Sequence, residues 1–295
     1  MKPEDIPRRV DKRIADATHV GRREIERWVQ AGRVRVEDET GRRVDFEHPG
    51  HIVLPTERVF VDAEEVRDTA PKHYAVLYKP QGVITTLSEP RGRPCVAPWA
   101  RALGRGVAPV GRLDQETTGL LVLTDDGGLT FMMLKPMFHV DKVYHMKIRG
   151  RVSPRDPRLA PWTSGVEIGA EALARARSIQ VSAGSERVTW VRAVLHEGRK
   201  RQVRRMCRAT RLALEHLHRV RVANLRLSGM NPGDCRRLEA QEVDALWDTL
   251  GGRELPVRRA LAALVRRAER ERAMGKSTSK VDRWLSAHGW LDPPR

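Results

Sequence analysis

The spacing of apolar residues near the start of the chain predicts two short helices followed by a strand. In VDKRIADATHVGRREIERWVQAGRVRV, Ile25, Trp28 and Val29 fall three and four residues apart, which places them on one face of a helix. Gly32 follows and can end that helix. Turn-forming residues then come at 38–41 and 48–50. The polar face of the second helix is basic and carries Arg22, Arg23 and Arg27.

The middle of the chain alternates short apolar runs with loops and helical stretches. HYAVLYKPQGVITT begins as an alternating strand and breaks at the Lys-Pro-Gln-Gly of residues 79–82. Further strands are predicted at 120–124, 143–148 and 188–195. These segments lack the regular spacing of strand-helix-strand units, so the pattern favours an α+β fold over a doubly wound one.

The tail changes character at Gly251. RRALAALVRRAERERAM predicts a helix with an apolar stripe, and a second helix capped by Ser277 or Ser279 holds Trp284 on its apolar face. Residues 251–295 contain 11 Lys plus Arg and 5 Asp plus Glu, and 11 − 5 leaves +6. The tail is either an RNA-binding arm or a charged extension. We interpret Trp284 and Trp290 as packing residues rather than base-stacking ones.

The charge balance points to a polyanionic partner. The chain has 55 Lys plus Arg against 38 Asp plus Glu, a net charge of +17. The charge favours nucleic acid, with a membrane surface or another polyanion as the alternatives. No apolar run approaches the roughly 18 residues of a membrane span. The polar N-terminus lacks the apolar stretch of a secretory signal, which predicts a cytoplasmic protein. Three widely spaced cysteines indicate neither a disulfide framework nor a metal site; they are Cys95, Cys207 and Cys235.

The densest basic stretch, LHEGRKRQVRRMCRATRLA, predicts an amphipathic helix from about Lys200. Apolar side chains three and four residues apart would form its core stripe, namely Val203, Met206 and Cys207. Arginines would lie on another face, namely Arg204, Arg208 and Arg211. A solvated charged helix is the alternative, but the turn at Glu197-Gly198 immediately before it favours a binding site.

Three aspartates in GRLDQETTGLLVLTDDGGL need separate interpretations. Asp114 lies in a loop that leads into a buried strand, where an unpaired carboxylate is costly. An arginine partner would keep it ionised and positioned as a nucleophile or general base. The local sequence alone leaves this open. Asp125 and Asp126 precede two glycines and are interpreted as turn residues.

The sequence contains no motif for metal binding or for a nucleotide cofactor. The adjacent carboxylates lack the spaced ligands of a calcium loop, and no histidine pair has zinc spacing. The phosphate-binding glycine motifs are also absent from the sequence. His139 and His145 flank a predicted strand start, and we interpret them as exposed or packing residues.

Five segments in order, across residues 73–246, resemble the pseudouridine synthases, in the branch that modifies ribosomal RNA. They are YKPQGVITT, GRLDQETTGLLVLTDDG, KVYHMKIRG, LHEGRKRQVRRM and LHRVRVANLRLSGMNPGDCRRL. The N-terminal segment is similar to a small RNA-binding domain of a small-subunit ribosomal protein. The resemblance implies three parts: an RNA-binding α/β domain at 1–67, a catalytic domain at 73–250 and a basic helical extension at 251–295. The catalytic domain is expected to hold a mixed, mainly antiparallel sheet and a basic cleft.

The resemblance implies a cofactor-free isomerisation of uridine, in which the glycosidic bond breaks and the uracil turns before a carbon–carbon bond forms. Asp114 falls on the family's catalytic aspartate, which either attacks the nucleoside or abstracts a ribose proton. Tyr144 matches the aromatic residue that packs on the base, and Arg204 the arginine paired with the carboxylate. Arg112 matches the position that faces the space left by the extruded base. Leu225 and Leu227 are alternatives for lining the pocket.

The expected partner is ribosomal RNA or a ribosomal precursor particle, bound by a monomer, with large-subunit RNA favoured over small-subunit RNA. Phosphate contacts are expected from Arg22, Arg23, Arg27, Lys79, Arg199, Lys200, Arg201, Arg205 and Arg208. A non-catalytic RNA-binding or ribosome-assembly factor is the alternative function, and a metal-dependent nuclease is a third.

The chain departs from the family pattern in three places. It has Glu37-Asp38-Glu39 where the N-terminal domain usually has Val-Asn-Gly, and Lys200 where asparagine is common. It also has Ala223-Asn224 where a glycine is usual. None of these changes alters the matched aspartate, tyrosine or arginine.

Overall fold

The computed structural model describes residues 5–18, 20–67, 71–169, 173–274 and 279–290. The chain divides into two compact units, which we call the terminal unit (Met1–Lys72 with Gly252–Arg295) and the central unit (His73–Gly251). The boundaries near residues 72 and 251 lie where the sequence changes character. Residues 252–295 of the basic extension cluster in the same compact unit as the N-terminal segment.

The N-terminal segment forms the predicted helix pair and strand. Its elements are β1 (Arg8–Arg9), α1 (Val10–Thr18), α2 (Arg22–Gln30), β2 (Val34–Glu37), β3 (Arg43–Val44), β4 (Ile52–Val53), β5 (Arg58–Val61) and β6 (Glu64–Glu65). Ile25 and Val29 are buried, and Trp28 packs against the same core. The predicted helical stripe is therefore confirmed. Four of the strands form a small sheet in the order β3-β2-β5-β6, and β1 pairs separately with β4.

The central unit contains most of the regular structure. Its elements are β7 (Tyr74–Lys79), α3 (Ala97–Leu103), β8 (Ala108–Pro109), β9 (Thr117–Thr124), α4 (Gly127–Leu134), a 3₁₀ helix (Pro136–Phe138), β10 (Lys142–Arg149), α5 (Pro161–Ser164), β11 (Ser178–Gly184), β12 (Val188–Leu195), α6 (Gln202–Ala209), β13 (Leu214–Val222), β14 (Leu225–Arg226), β15 (Cys235–Arg237) and α7 (Ala240–Thr249). The strands predicted at 120–124, 143–148 and 188–195 all lie within these elements, and the α+β class is confirmed.

One large mixed sheet organises the central unit. Its strand order is β11-β12-β10-β13-β9-β7-β15, with β8 paired to β9 and β14 to β13. In the described part of this sheet, β9 and β13 pair in parallel and the other pairs are antiparallel. Strand β9 is buried along its whole length, as its continuous apolar run predicts.

The parallel pair requires a glycine in β9. Gly119 has a φ of 115° and lies opposite Arg219 of β13. A Cβ atom on Gly119 would overlap the backbone carbonyl of Arg219. Only a residue without a side chain allows the two backbones to approach this closely.

Helix α6 buries the predicted stripe. Val203, Met206 and Cys207 are all at most 5% exposed and belong to the core beneath β10 and β12. Burial raises the pKa of the Cys207 thiol to about 12, so this cysteine is a packing residue. The helix ends at Ala209, and Arg211 lies beyond it with a φ of 56°. The prediction that Arg211 lies on the same helix face as Arg204 and Arg208 was wrong, because the helix ends before it reaches Arg211.

The tail contributes helices α8 (Leu255–Ala273) and α9 (Lys280–Ala287) to the terminal unit. Leu261 and Leu285 pack in one core with Ile6 from the N-terminal segment. Lys280 Nζ also lies 2.9 Å from a Glu57 carboxylate oxygen. Ser279 caps α9 by accepting a hydrogen bond from the Asp282 amide at 3.2 Å; the alternative cap, Ser277, lies outside the described residues.

Within the described ranges, no helix combines the length and the apolar character that a membrane span needs.

Candidate active site

The fold brings Asp114 and Arg204 together from distant parts of the chain. Asp114 lies in the loop before β9, and its carbonyl accepts a hydrogen bond from the Thr117 amide at 3.0 Å. Arg204, on α6, places its Nε 3.4 Å from the Asp114 Oδ2. That Nε makes no hydrogen bond of good geometry, so the contact is an ion pair. Arg204 Nη2 also donates to Thr117 Oγ1 at 3.2 Å, which fixes the guanidinium at the start of β9.

A narrow cleft of about 120 Å³ opens beside this pair. Tyr144 of β10 forms one wall and packs against the two main cores of the central unit. Leu195 and Leu217 belong to the apolar part of its lining. Arg112 stands exposed at the rim, two residues before the aspartate. The predicted group of Asp114, Tyr144, Arg204 and Arg112 therefore converges on a single cleft.

Two buried basic side chains lie beneath the cleft, and the sequence interpretation missed both. Lys142 is 8% exposed and donates to the carbonyls of Val140 and His196 at 3.2 and 3.4 Å. Burial, reinforced by the charge of Arg219, lowers the pKa of Lys142 to about 8. Arg219 is 4% exposed, and its Nε donates to the Leu120 carbonyl at 2.8 Å. These cations add positive potential to the cleft that the Asp114 carboxylate lines.

The turn before α6 is held by a glutamate that also lines the cleft. Glu197 Oε1 accepts a hydrogen bond from Gln202 Nε2 at 2.6 Å, and its Oε2 accepts from Arg199 Nε at 3.0 Å. Gln202 Oε1 in turn accepts from the Arg199 amide at 3.0 Å. The basic segment is thus ordered at the rim, as the interpretation of the Glu197-Gly198 turn as part of a site requires.

The structure contradicts the expected phosphate contact at Lys79. Its side chain is 0% exposed, and its Nζ donates to the carbonyls of Pro80, Val83 and Gln115 at 2.8, 2.7 and 3.3 Å. Burial lowers the pKa of Lys79 to about 8, an effect opposed by the nearby carboxylates of Glu116 and Asp114. An alternating strand that ends in Lys-Pro predicts an exposed lysine, but the end of β7 lies beneath the aspartate loop. Lys79 therefore holds that loop from inside the protein.

The other expected phosphate contacts lie at or near the surface. Arg199 and Arg201 line the cleft. Lys200 and Arg208 are exposed, while Arg205 is partly buried. In the terminal unit, the exposed outer face of α2 carries Arg22, Arg23 and Arg27. Their contact with RNA stays a prediction.

The two remaining aspartates have structural roles, as the sequence indicated, but these are a helix cap and a long-range contact rather than turns. Asp126 caps α4 by accepting hydrogen bonds from the amides of Gly128 and Leu129 at 2.8 and 3.0 Å. Asp125 accepts a hydrogen bond from the His73 amide at 2.8 Å. Neither residue lines the cleft as the structure describes it.

The two histidines in question lie outside the described lining of the cleft. His139 is exposed, and His145 is partly buried on β10. Leu225, at 4% exposure, and the partly buried Leu227 are likewise absent from that lining. Among the described residues, no group of three or more His, Cys, Asp or Glu side chains is arranged to hold a metal ion.

The missed residues differ in how far the sequence could have revealed them. Lys142 precedes Tyr144 by two residues, and strand alternation places both on one face of the sheet. That spacing could have added it to the candidates. Arg219 lies 105 residues after Asp114, as 219 − 114 gives, and enters the site only through the β9–β13 pairing. No local pattern identifies it.

The chemistry of the site follows from these contacts. A carboxylate paired with a guanidinium is held in one position, which suits a nucleophile or a general base. An aromatic and apolar wall beside it accommodates a flat, weakly polar group. Basic side chains at the rim favour a polyanionic ligand. The fold and the cleft thus define an enzyme that works on one base of a nucleic acid.

Comparisons with known proteins agree with this class. The model of the RNA pseudouridylate synthase family matches residues 73–209. The ribosomal large subunit pseudouridine synthase B of Bacillus subtilis is 32% identical over 240 residues, which cover 81% of this chain and 95% of that protein. The protein of the same name from Haemophilus influenzae is 31% identical over 292 residues, which cover 96% of this chain and 78% of that one.

The chain belongs to the RNA pseudouridylate synthase family, whose reaction is the isomerisation of uridine in RNA. A crystal structure titled pseudouridylate synthase superposes with a TM-score of 0.55 at 23% identity. The match covers 81% of this chain and 99% of that chain. At this identity the likeness shows the fold.

Proposed function

We propose that this enzyme converts one uridine of large-subunit ribosomal RNA to pseudouridine, with Asp114 as the reacting carboxylate. The observation that carries the proposal is the Asp114–Arg204 ion pair, with its 3.4 Å Nε–Oδ2 distance, at the mouth of a cleft walled by Tyr144. The large-subunit target is supported by two relatives named ribosomal large subunit pseudouridine synthase B, whose matches cover most of this chain. A monomer acting in the cytoplasm on naked RNA or on a precursor particle remains our expectation.

The dimensions of the cleft support action on a single base. A volume of about 120 Å³ lies below the roughly 300 to 1,000 Å³ of common small-molecule pockets. A base within a helix cannot reach such a cleft, so it must turn out of its stack at a cost of a few kcal/mol. Phosphate contacts along the basic rim offset that cost. RNA loops and bulges are the favoured substrates because their bases are already unstacked.

The proposed reaction keeps every heavy atom of the substrate. The bond from ribose C1′ to uracil N1 breaks, the ring turns, and C1′ bonds to C5. The C5 proton is released, and N1 takes up a proton. Asp114 acts either by attacking the nucleoside or by removing a ribose proton, and Arg204 holds its carboxylate in position for both roles. Tyr144 stacks on the uracil, and Arg112 occupies the space that the base leaves. No electron leaves or enters, so the proposed reaction needs no cofactor.

Release of tritium from RNA labelled at uridine C5 tests the proposal. Asp114→Asn is expected to abolish release while RNA affinity changes little, because the substitution removes a reacting group without removing a cation. Asp248→Asn, exposed on α7, is the matched control and should behave like the wild type. Wild-type protein that binds rRNA yet forms no pseudouridine would support the RNA-binding or assembly factor instead. Loss of activity in EDTA would favour metal chemistry at the same site.

A further inference from the structure

Beside the cleft, the structure exposes an apolar surface that the proposed reaction leaves unused. Phe131 and Leu134 lie one turn apart on α4 and are 39% and 46% exposed. Met137, in the following 3₁₀ helix, is 56% exposed. We call these three residues the apolar platform. Large apolar side chains exposed together mark an interaction site more often than isolated ones do.

The apolar platform is continuous with the cleft. Leu134 belongs to the lining of the cleft, together with Asp114 and Tyr144. Its Cδ2 would lie 3.0 Å from a Cβ atom on Gly111, a glycine with a φ of 76° that directly precedes Arg112. A ligand with one group bound in the cleft therefore contacts Leu134 where the rest of the ligand extends out of the cleft.

The ring of Phe131 is held in place while part of it stays accessible. Phe138 contacts it edge to face at a centroid distance of 5.7 Å. Lys135 Nζ lies 5.7 Å from the centre of the same ring and is exposed. An aromatic surface with a cation beside it is the combination that single-stranded nucleic acid uses for base stacking and phosphate contact. Apolar protein partners would gain little from the lysine.

We infer that the apolar platform binds an unpaired base next to the target uridine, with Lys135 on the intervening phosphate. The inference rests on the proposed function, since the target uridine must occupy the cleft. Turning the uridine out breaks its stacking with its neighbour, and the platform supplies a replacement surface for that neighbour. It thereby selects RNA in which the adjacent nucleotide is free to move.

Photocrosslinking tests where the platform contacts RNA. Phe131→p-benzoylphenylalanine is combined with a transcript of the large-subunit rRNA of the organism that encodes the protein. The crosslinked nucleotide should fall within about three nucleotides of the pseudouridine mapped by carbodiimide modification and primer extension. Trp190→p-benzoylphenylalanine is the control, since Trp190 is 36% exposed on β12 and lies outside the described cleft lining. Crosslinks at Phe131 to distant nucleotides, or to a second copy of the chain, would overturn the inference.

Steady-state kinetics on the same transcript give a second readout. Phe131→Ala and Met137→Ser should raise KM about tenfold, the effect expected when one base-stacking interaction is removed, with a smaller effect on kcat. Trp190→Ala should leave both constants unchanged, and matched thermal denaturation excludes misfolding. If both platform variants keep wild-type activity and an unaltered KM, the inference about the apolar platform is refuted while the proposed function is not. A wild-type protein that forms no pseudouridine would refute the proposed function.

Discussion

Arg204 Nε lies 3.4 Å from Asp114 Oδ2, although 90 residues separate the two positions, as 204 − 114 gives. The aspartate comes from the loop before β9 and the arginine from α6, and Thr117 Oγ1 accepts a hydrogen bond from the same guanidinium. The pair is partly buried, with side-chain exposures of 28% for the aspartate and 19% for the arginine. An ion pair at this depth orients the carboxylate more firmly than a surface pair would.

Replacing the arginine should affect the chemical step more than binding. Arg204→Lys keeps a charge but loses the fork that contacts Asp114 and Thr117 together. We expect kcat to fall by roughly 10²-fold, the usual scale for removing one positioned donor, with RNA affinity nearly unchanged. Single-turnover tritium release measures the step directly. Arg208→Gln, exposed one turn later on α6, should weaken RNA binding and spare the rate at saturation; equal loss of rate in both variants would refute the assigned role.

Acid should destabilise the central unit through His218. Burial, together with neighbouring His216 and His145, lowers the pKa of His218 from 6.5 to about 4. Its Nδ1 lies 2.8 Å from Thr118 Oγ1, and its ring lies 5.2 Å from that of Tyr78. Between pH 6.5 and 4 the unfolded chain therefore holds the extra proton, so the free energy of unfolding decreases as pH falls through this range. The loss should be about 1 to 3 kcal/mol.

Urea unfolding at a series of pH values measures this effect. His218→Gln should show a shallower decrease in the free energy of unfolding than the wild type. The exposed His139→Asn should keep the wild-type slope, and asparagine suits the left-handed φ of 49° at that position. Parallel curves for the wild type and His218→Gln would show that another group governs acid stability.

The parallel pairing of β9 with β13 should tolerate no side chain at Gly119. In Gly119→Ala the new methyl group would overlap the Arg219 carbonyl, and the φ of 115° is unfavourable for alanine. We expect a loss of at least about 3 kcal/mol, or a decrease in Tm of about 6 to 12 °C. Gly127→Ala is the control because a Cβ there meets no atom within 4 Å. Similar Tm values for the two variants would contradict the close approach.

The tail should contribute to RNA binding through its exposed arginines. Arg266 and Arg270 are exposed one turn apart on α8. The double variant Arg266→Gln/Arg270→Gln should flatten the dependence of log affinity on log salt by about 1.4, because each phosphate neutralised on single-stranded RNA adds about 0.7 to the slope. Filter binding from low to high salt measures the slope. Glu269→Gln, on the same helix, should not flatten this slope. An unchanged slope in the double variant would show that these arginines do not contact RNA phosphates. Substitution is preferable to truncation, because Leu261 and Leu285 share a core with Ile6.

Local sequence patterns were enough to predict burial where one face of a helix or strand packs against the core. The stripe of Val203, Met206 and Cys207 and the continuous run in β9 are buried as their periodicity predicts. The cap formed by Asp126 also follows from short-range chemistry, since its carboxylate accepts hydrogen bonds from the amides two and three residues further on. Asp125 instead accepts a hydrogen bond from the His73 amide, 52 residues away in the sequence. The ordered family motifs located Asp114, Tyr144, Arg204 and Arg112 before any geometry was known.

Lys79 is a residue whose burial the local sequence pattern did not predict. A lysine before Pro-Gln-Gly suggested an exposed turn, yet its amine lies buried and holds three backbone carbonyls. Its burial depends on the aspartate loop, whose sequence lies about 35 residues further on. The docking of the tail helices with the N-terminal segment has the same origin, because neither apolar stripe specifies its partner.

The sequence by itself determined the helical and strand periods, the basic character and the family, and it singled out Asp114 as the candidate for the reacting aspartate. Each of these depends on neighbouring residues or on ordered motifs, which a linear chain displays directly. Only the tertiary structure decided the depth of Lys79, the buried Lys142 and Arg219 behind the cleft, and the apolar platform at its edge. Burial and electrostatic environment depend on which distant segments pack together, as the pairing of β9 with β13 at Gly119 and Arg219 illustrates.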